Sequence, residues 1–507
     1  MNTLNDLLKT KPIQANFRNF MLAFLTLSAI LASGTPPTFA QESKRLKQAV
    51  IKRVDSIEPT IEEMAIKLWD YAELALVETR SADLLVRKLK DAGFDVRTNV
   101  ADMPTAFVAT YGSGSPVIGI LAEYDALPGV GNQAIAERKP RADGITSGHG
   151  CGHNLFGAAS VGGAIALKQL MEAEGLKGTL KLFGTPAEET VVGKVYMAKA
   201  GVFDGLDVVL EWHPGGTNEV RNQPGRAMNS FEVEFFGQSA HGAADPWNGR
   251  SALDAVEMMN YGVNMMREHV RPTARIHYVI PNGGDAPNVV PDYAKVWYFV
   301  RDINRAEVGK YYNRILKIAK GAALATETTH KVHLITGVYE YLLNRPLQEA
   351  LQKNLELVGA PQFTEAEHEF ARTLQRITGK EEKGFNDKIK PLPDKPGEVK
   401  GGSTDVADVS WIVPTAGFRI TTAAEDVPWH SWATTSCSGT RAGRKGAVAA
   451  AKVIATTGVD ILTNPELVKA ARNSSSKLQR ANHINPQYRP TKNRQALNEI
   501  EHHNHPM

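Results

Sequence analysis

The sequence predicts an α/β protein: a larger domain built on a mixed, largely parallel sheet with helices on both faces, carrying an inserted ferredoxin-like α+β domain. Three observations predict it. Before Asn229, short apolar runs alternate with helical stretches, the texture of a parallel sheet joined by crossover helices. From Asn229 the order becomes β-α-β-β-α-β, that of a small ferredoxin-like unit. After about Tyr341 the α/β texture returns, so the second unit interrupts the first.

Bulk properties agree. A chain of 507 residues is too long for one ordinary core. Its 42% hydrophobic and 22% charged residues fit a globular protein. A formal charge of +3, with no basic run interleaved with aromatics, argues against nucleic acid as a partner.

Residues 1–40 read as an export signal. Lys9, Lys11 and Arg18 precede an apolar run from Phe20 to Ala32, and Thr38-Phe39-Ala40 supplies a small-residue cleavage site. The run is short for a membrane span. Cleavage after Ala40 lowers the formal charge from +3 to +1 and predicts an exported, periplasmic protein with no stable membrane insertion. An uncleaved anchor is the alternative.

The catalytic domain is expected in residues 41–227 and 339–472, the inserted domain in 228–338, and a polar tail in 473–507. Residues 44–99 read as helical, with a second segment from Ser81 to Ala92 stopped by Gly93. Strands are expected at Ala106–Tyr111, Val117–Leu121, Leu180–Phe183 and Val208–Leu210. A helix is expected over Leu155–Glu174 with Asn154 as its N-cap. In the insert, Phe231-Glu-Val-Glu-Phe alternates with period two, and a helix at Ala252–Val270 follows. Strands near Arg275–Ile280 and Ala294–Arg301, a helix at Glu307–Leu324 and a strand at His330–Thr336 complete it. Residues 378–400, rich in Lys, Glu, Asp, Pro and Gly, read as a surface loop.

Ligands in open α/β sheets collect at the carboxyl ends of strands. That rule brings Asp125, Cys151, His153, Glu188, Glu189 and His213 to one rim. Cys151 and His153, one residue apart in His149-Gly-Cys-Gly-His-Asn154, are a soft donor pair suited to a transition or borderline divalent metal. A disulfide between Cys151 and Cys437, the only cysteines, competes with that reading. Glu188 and Glu189 are adjacent, so in extended chain they point opposite ways. One can bind a metal while the other takes a proton from water; two exposed acids near a helix start are the bland alternative. His213 and His430, each beside aromatic or apolar residues, read equally as packed histidines. Together, Cys151, His153, Glu189, His213 and His430 are enough ligands for two metals if one bridges.

The chain resembles the M20 family of metallopeptidases, in its aminoacylase/amidohydrolase branch. The strings that carry the resemblance are Glu123-Tyr-Asp125-Ala-Leu-Pro, His149-Gly-Cys-Gly-His153, Thr185-Pro-Ala-Glu188-Glu189, Gly237-Gln-Ser-Ala-His241-Gly, Pro287-Asn288-Val-Val-Pro and Val300-Arg301-Asp302. Gly249-Arg-Ser-Ala-Leu-Asp-Ala-Val and Ser403-Thr-Asp-Val-Ala-Asp-Val-Ser-Trp411 point to the subgroup that acts on p-aminobenzoyl-glutamate. The resemblance covers nearly all of residues 45–460.

It implies two divalent metal ions per subunit, zinc or manganese. Cys151 would bridge them, with His153 and Glu189 on one and His213 and His430 on the other. Glu188 would be the general base and then the proton donor to the leaving amine. Asp125 would orient a ligand histidine. Many relatives have a histidine where this chain has Glu123, so His153 is expected to fill that role. Asn154 stands where the wider branch has Asp. The insert would be a lid and dimerisation domain. His241 would reach a partner's active site and polarise the scissile carbonyl, while Asn288 and Arg301 would receive the substrate's carboxylate. The implied substrate is a small N-acyl amino acid or a dipeptide, and the implied assembly a homodimer or a heterodimer with a related subunit. A dipeptidase and a non-catalytic partner subunit are the alternative functions.

Overall fold

The computed structural model describes residues 39–481 apart from Val191 and Lys400. The expected export signal lies outside the described residues except Phe39 and Ala40, as does the tail beyond Ala481.

Three helices come first: α1 (Phe39–Ser56), α2 (Glu58–Tyr71) and α3 (Thr79–Asp91). In α3, Ala82, Leu85, Val86 and Leu89 recur at helical spacing and are all buried. Leu85 is fully buried, so truncating it to Ala would cost about 2–5 kcal/mol. The chain then forms β1 (Asp95–Thr98), β2 (Phe107–Ser113), β3 (Val117–Ala122), α4 (His153–Glu174), β4 (Gly178–Gly184), α5 (Gly193–Lys199), β5 (Val208–Gly215) and β6 (Glu219–Val220).

The insert supplies β7 (Ala227–Phe236), α6 (Ala252–Met266), β8 (Arg275–Asn282), β9 (Tyr293–Asp302), α7 (Arg305–Ala325) and β10 (Thr329–Val338). The chain returns through α8 (Arg345–Val358), α9 (Glu365–Ile377), α10 (Val406–Ser410), β11 (Thr415–Thr421), α11 (Trp432–Ser438), α12 (Arg441–Thr463) and α13 (Pro465–Ala481).

The large sheet has the order β1-β2-β4-β3-β5-β11-β6. Its centre is parallel (β4 with β3, β3 with β5, β5 with β11), and antiparallel pairs close its sides. Parallel strands covered on both faces read as continuous apolar runs. Val208, Leu210 and Trp212 pack towards α4 and α12, while Val209 packs with Leu121 and Phe183 on the other face. The long apolar helix α12 is a core element, its most apolar stretch 78% buried.

The second sheet is antiparallel, in the order β10-β7-β9-β8. Helices α6 and α7 share one core with it, built on Phe231, Val233, Val256, Val296, Tyr298 and Ile315. Phe231 and Tyr298, cross-strand partners, stack at 5.6 Å.

Four expectations need correction. Residues 44–99 are not helical throughout. The helix stops at Tyr71 and resumes at Thr79, and β1 follows α3. β1 is mostly exposed, so it carries no apolar run to betray it. Asn154 is not an N-cap: Gly152 holds that position, and Asn154 lies buried inside α4, donating to the carbonyls of Ala65 and Ser438. Strand β5 extends beyond the expected Val208–Leu210, through Glu211-Trp212-His213 to Gly215. Residues 473–481 continue α13, whose buried face is Val468, Ala471 and Ser475. Ser475 is polar yet inward, because Asn344 donates to its hydroxyl at 3.0 Å.

Candidate metal centre

The rim at the carboxyl ends of β3, β4 and β5 is where the titratable side chains meet. Asp125 follows β3, Glu188 and Glu189 follow β4, and His213 lies near the end of β5. The loop into α4 delivers Cys151 and His153, and the segment between β11 and α11 delivers His430.

Local backbone sets these directions. Gly152 has φ +74°, and a Cβ there would lie 2.8 Å from Cβ of Pro214, beside His213. Only glycine turns the chain so tightly between the thiol and the imidazole. Ala187 (φ 59°) and His430 (φ 55°) are left-handed residues with side chains, an unfavourable state held by surrounding bonds. The Ala187 amide donates to the buried carboxylate of Glu78 at 2.9 Å, and the His430 amide donates to the carbonyl of Gly150 at 3.0 Å.

Donor atoms of Cys151, His153 and His213 lie within 4.8 Å of one another, as do those of Cys151, Glu189 and His430. Cys151 is common to both groups. Glu123, His153 and Glu188 form a third such group, so His153, like Cys151, is common to two of them. Cys151 Sγ lies 3.5 Å from His213 Nε2, whereas Glu189 Oε2 lies 3.5 Å from His430 Nε2. Glu188 and Glu189 flank opposite nitrogens of one imidazole, at 3.9 Å from His153 Nε2 and 3.8 Å from His153 Nδ1.

Asp125 ties the arrangement together. One oxygen meets His153 Nδ1 at 2.9 Å, and the other accepts the Glu189 amide at 2.8 Å. That leaves His153 Nε2 facing the cluster. His213 Nδ1 meets the Pro214 carbonyl at 2.7 Å, which turns its Nε2 inward.

Glu123 stands beside His153, with Oε2 at 3.2 Å from Nε2. Its other oxygen accepts from Lys194 Nζ at 2.8 Å, and Lys194 Nζ also donates to Asp405 at 2.6 Å. All three are buried. A buried ammonium between two carboxylates is tolerated only when paired this well.

Burial and mutual charge shift the whole cluster. Burial, then Glu123, raises Glu188 well above the carboxylate range. Burial raises Glu189 to about 8 and the Cys151 thiol to about 12. Burial and the His153 charge push His213 well down. Burial also pulls His153 down, but the Cys151 and Asp125 charges outweigh it and hold the imidazole well above its usual value. His153 Nε2, Glu189 Oε1 and Glu123 Oε2 are buried without a hydrogen-bond partner. Buried acids forced towards neutrality, with polar atoms left unsatisfied, fit divalent cations that would replace the missing partners. One thiol, three imidazoles and a carboxylate are a donor set for zinc or manganese.

Other residues singled out in the sequence lie apart. His149 is not among these donors: its Nε2 meets the Leu68 carbonyl at 2.9 Å, and burial lowers its pKa to about 4. Both cysteines are free, and Cys437 is buried in α11, so the disulfide alternative fails. His241 and Asn288 sit on exposed loops of the second domain. An isolated bridge pairs His241 with Val289, and His241 Nδ1 accepts the amides of Ala243 and Ala244. Neither joins the metal-type groups among the described residues. Arg301 is half-buried on β9, and its charge helps lower the pKa of His430, after burial and His153.

Sequence reasoning missed Lys194, Asp405, Glu78 and Arg419. A lysine in an apolar stretch, Val192-Gly-Lys194-Val, was the available signal for the first.

Residues 119–487 match peptidase family M20/M25/M40. The chain is 37% identical over 432 residues to one subunit of the p-aminobenzoyl-glutamate hydrolase of Escherichia coli, covering 80% of this chain and 90% of that protein. It is 28% identical over 449 residues to the Xaa-Arg dipeptidase of Mus musculus, covering 85% and 93%. A crystal structure of a dinuclear metal-binding M20 peptidase from Bacillus subtilis shares the fold, with a TM-score of 0.54 at 19% identity over 80% of this chain and 99% of that one.

Proposed function

The chain belongs to the M20/M25/M40 peptidase family and is a hydrolase of amide bonds, and from that premise we propose that it cleaves an N-acyl or aminoacyl amide beside a free carboxylate, on a p-aminobenzoyl-glutamate-like substrate. What carries the proposal is the convergence of Cys151, His153, Glu189, His213 and His430 around a buried Glu188.

Two divalent ions, zinc or manganese, would be held with Cys151 shared, His153 and His213 on one side and Glu189 and His430 on the other. Such ions polarise the scissile carbonyl and acidify water. Glu188 takes the proton from the attacking water and returns it to the leaving amine. Asp125 keeps His153 in the tautomer that presents Nε2, and holds the Glu189 backbone. Glu123, clamped by Lys194, stands 3.2 Å from Nε2 of the same imidazole without a hydrogen bond to it. His241 of a second copy donates to the developing oxyanion. Asn288 and Arg301 bind the substrate carboxylate.

The partner is a second copy or a related chain, an idea supported by the Escherichia coli relative, which is named as one of two subunits of its hydrolase. The free edge of the second sheet supports it too: β8 is an end strand, and Val279 and Ile280 on it are exposed. Export, with residues 1–40 removed, completes the reading.

The test is hydrolysis by the mature chain, residues 41–507, supplied with Mn²⁺ or Zn²⁺. Release of free amine from p-aminobenzoyl-glutamate or N-acyl amino acids is expected. Hydrolysis of dipeptides alone would favour the dipeptidase reading, for which the mouse relative speaks. Hydrolysis of nothing would sink both and leave a non-catalytic binding protein.

A further inference from the structure

We propose that Arg419 is a specificity residue that reads a second carboxylate, on the side chain of the amino acid released by the enzyme. The proposal rests on the amidohydrolase reading and narrows its substrate to amides of dicarboxylic amino acids.

Arg419 lies on β11 directly beside His213 on β5. Parallel neighbours in register leave the same face of a sheet, so the guanidinium rises next to the His213 imidazole. Solvent reaches the Arg419 side chain.

No carboxylate is left for it among the described residues. Glu211, on the same face of β5, is engaged by Arg221 at 2.8 Å. Glu219, its antiparallel neighbour on β6, accepts from Thr217 at 2.8 Å and faces Lys390 at 3.4 Å. The Arg419 side chain forms no hydrogen bond or ion pair among the described residues.

The second-domain cation is in a similar state. The Arg301 Nε points at the Met228 sulfur at 3.2 Å, and its guanidinium lies over the Phe299 ring at 5.3 Å. Nearby Arg226 donates to the carbonyls of Thr273 and Val399 and brings no acid. Arg301 on the second domain and Arg419 beside His213 are therefore two arginines without an acid partner among the described residues. Arginine without an acid is a planar fork matched to a carboxylate. One carboxylate satisfies Arg301. A second, on a glutamate or aspartate side chain, satisfies Arg419. A cationic side chain in the same place meets like charge, which discriminates against basic amino acids.

The test compares the metal-loaded wild type with Arg419→Met and Arg419→Lys. N-benzoyl-glutamate and N-benzoyl-glutamine serve as paired substrates, and free L-glutamate and L-glutamine as paired ligands in calorimetry. Expected is a wild-type preference for the glutamate member of each pair of at least about ten-fold, the usual worth of a charge-assisted pair. In Arg419→Met the ratio collapses, mainly through KM, and Arg419→Lys keeps part of it. An unchanged ratio in Arg419→Met, or a wild type indifferent to the second carboxylate, overturns the proposal. The calorimetric arm needs no turnover. Selective glutamate binding in a chain that hydrolyses nothing would refute the amidohydrolase reading and leave Arg419 as an acid-binding residue.

Discussion

The metal-type rim of the large domain and the exposed loops of the second domain that carry His241 and Asn288 are built on opposite plans. On the rim, Asp125, His153 and Glu188 are buried, and Asp125 locks His153 and the Glu189 backbone together. On the insert, His241 and Asn288 are exposed, and His241 is held by its own loop and by a bridge to Val289. The difference teaches where each kind of work is done. Charge that must be placed within a fraction of an ångström is assembled inside one chain. On the proposed roles, His241 and Asn288 stay in solvent until closure or association engages them.

The largest effect expected from breaking the rim comes at Glu188. Glu188→Gln should lower kcat by about 10²–10⁴-fold while metal content, read by mass spectrometry, is retained. Unchanged turnover would remove Glu188 from the mechanism.

The insert is tested by His241→Ala, expected to cost about 10²–10³-fold in kcat. If His241 serves a partner's rim, mixing His241→Ala with Glu188→Gln restores part of the activity, because a mixed dimer has one site with both residues. Failure of mixing, with subunit exchange verified, places His241 in its own chain's site.

Lys194 tests how far the rim depends on its buried support. Lys194→Met leaves Glu123 and Asp405 buried without their cation, so a loss of about 3–5 kcal/mol is expected in denaturant unfolding. Adding Asp405→Asn should recover part of it. Equal stability of wild type and Lys194→Met would show that the triad is not structural.

The smallest effect is at the junction of the two domains. Asp408 on α10 accepts the Tyr339 amide at 3.2 Å, just after β10. Burial raises its pKa to about 8. The folded state therefore binds a proton that the unfolded state releases near pH 4. The stability linked to Asp408 is full below about pH 4 and is lost as pH rises towards 8. Asp408→Asn, which mimics the neutral acid, should melt about 2 °C above wild type at pH 8 and show no gain at pH 4. A gain at pH 4 that vanishes at pH 8 would reverse the assignment.

Much of this was legible before the structure. The central strands β3, β4 and β5 are covered on both faces, so each left an apolar run. The β-α-β-β-α-β order of the second sheet was visible because its strands alternate and its helices are amphipathic. β1 was hidden because an exposed edge strand needs no apolar residues. The end of α13 was hidden because its inward Ser475 is polar and satisfied by Asn344. In the site, Cys151, His153, Glu188, Glu189, His213 and His430 could be named from their strings. Their grouping could not, since it depends on which atoms the Gly152 turn and the left-handed His430 bring together. Lys194 and Arg419 escaped because a lone cation in a strand or helix reads as surface until its neighbours are known.

The central claim is that Cys151 is shared by two metal sites. The most direct measurement is metal stoichiometry combined with thiol alkylation on the active, mature chain. The account predicts two divalent ions per chain, Cys151 protected from iodoacetamide until a chelator is added, and Cys437 reacting independently of metal. Full activity in metal-free protein, or Cys151 alkylated in fully loaded and active enzyme, would contradict it.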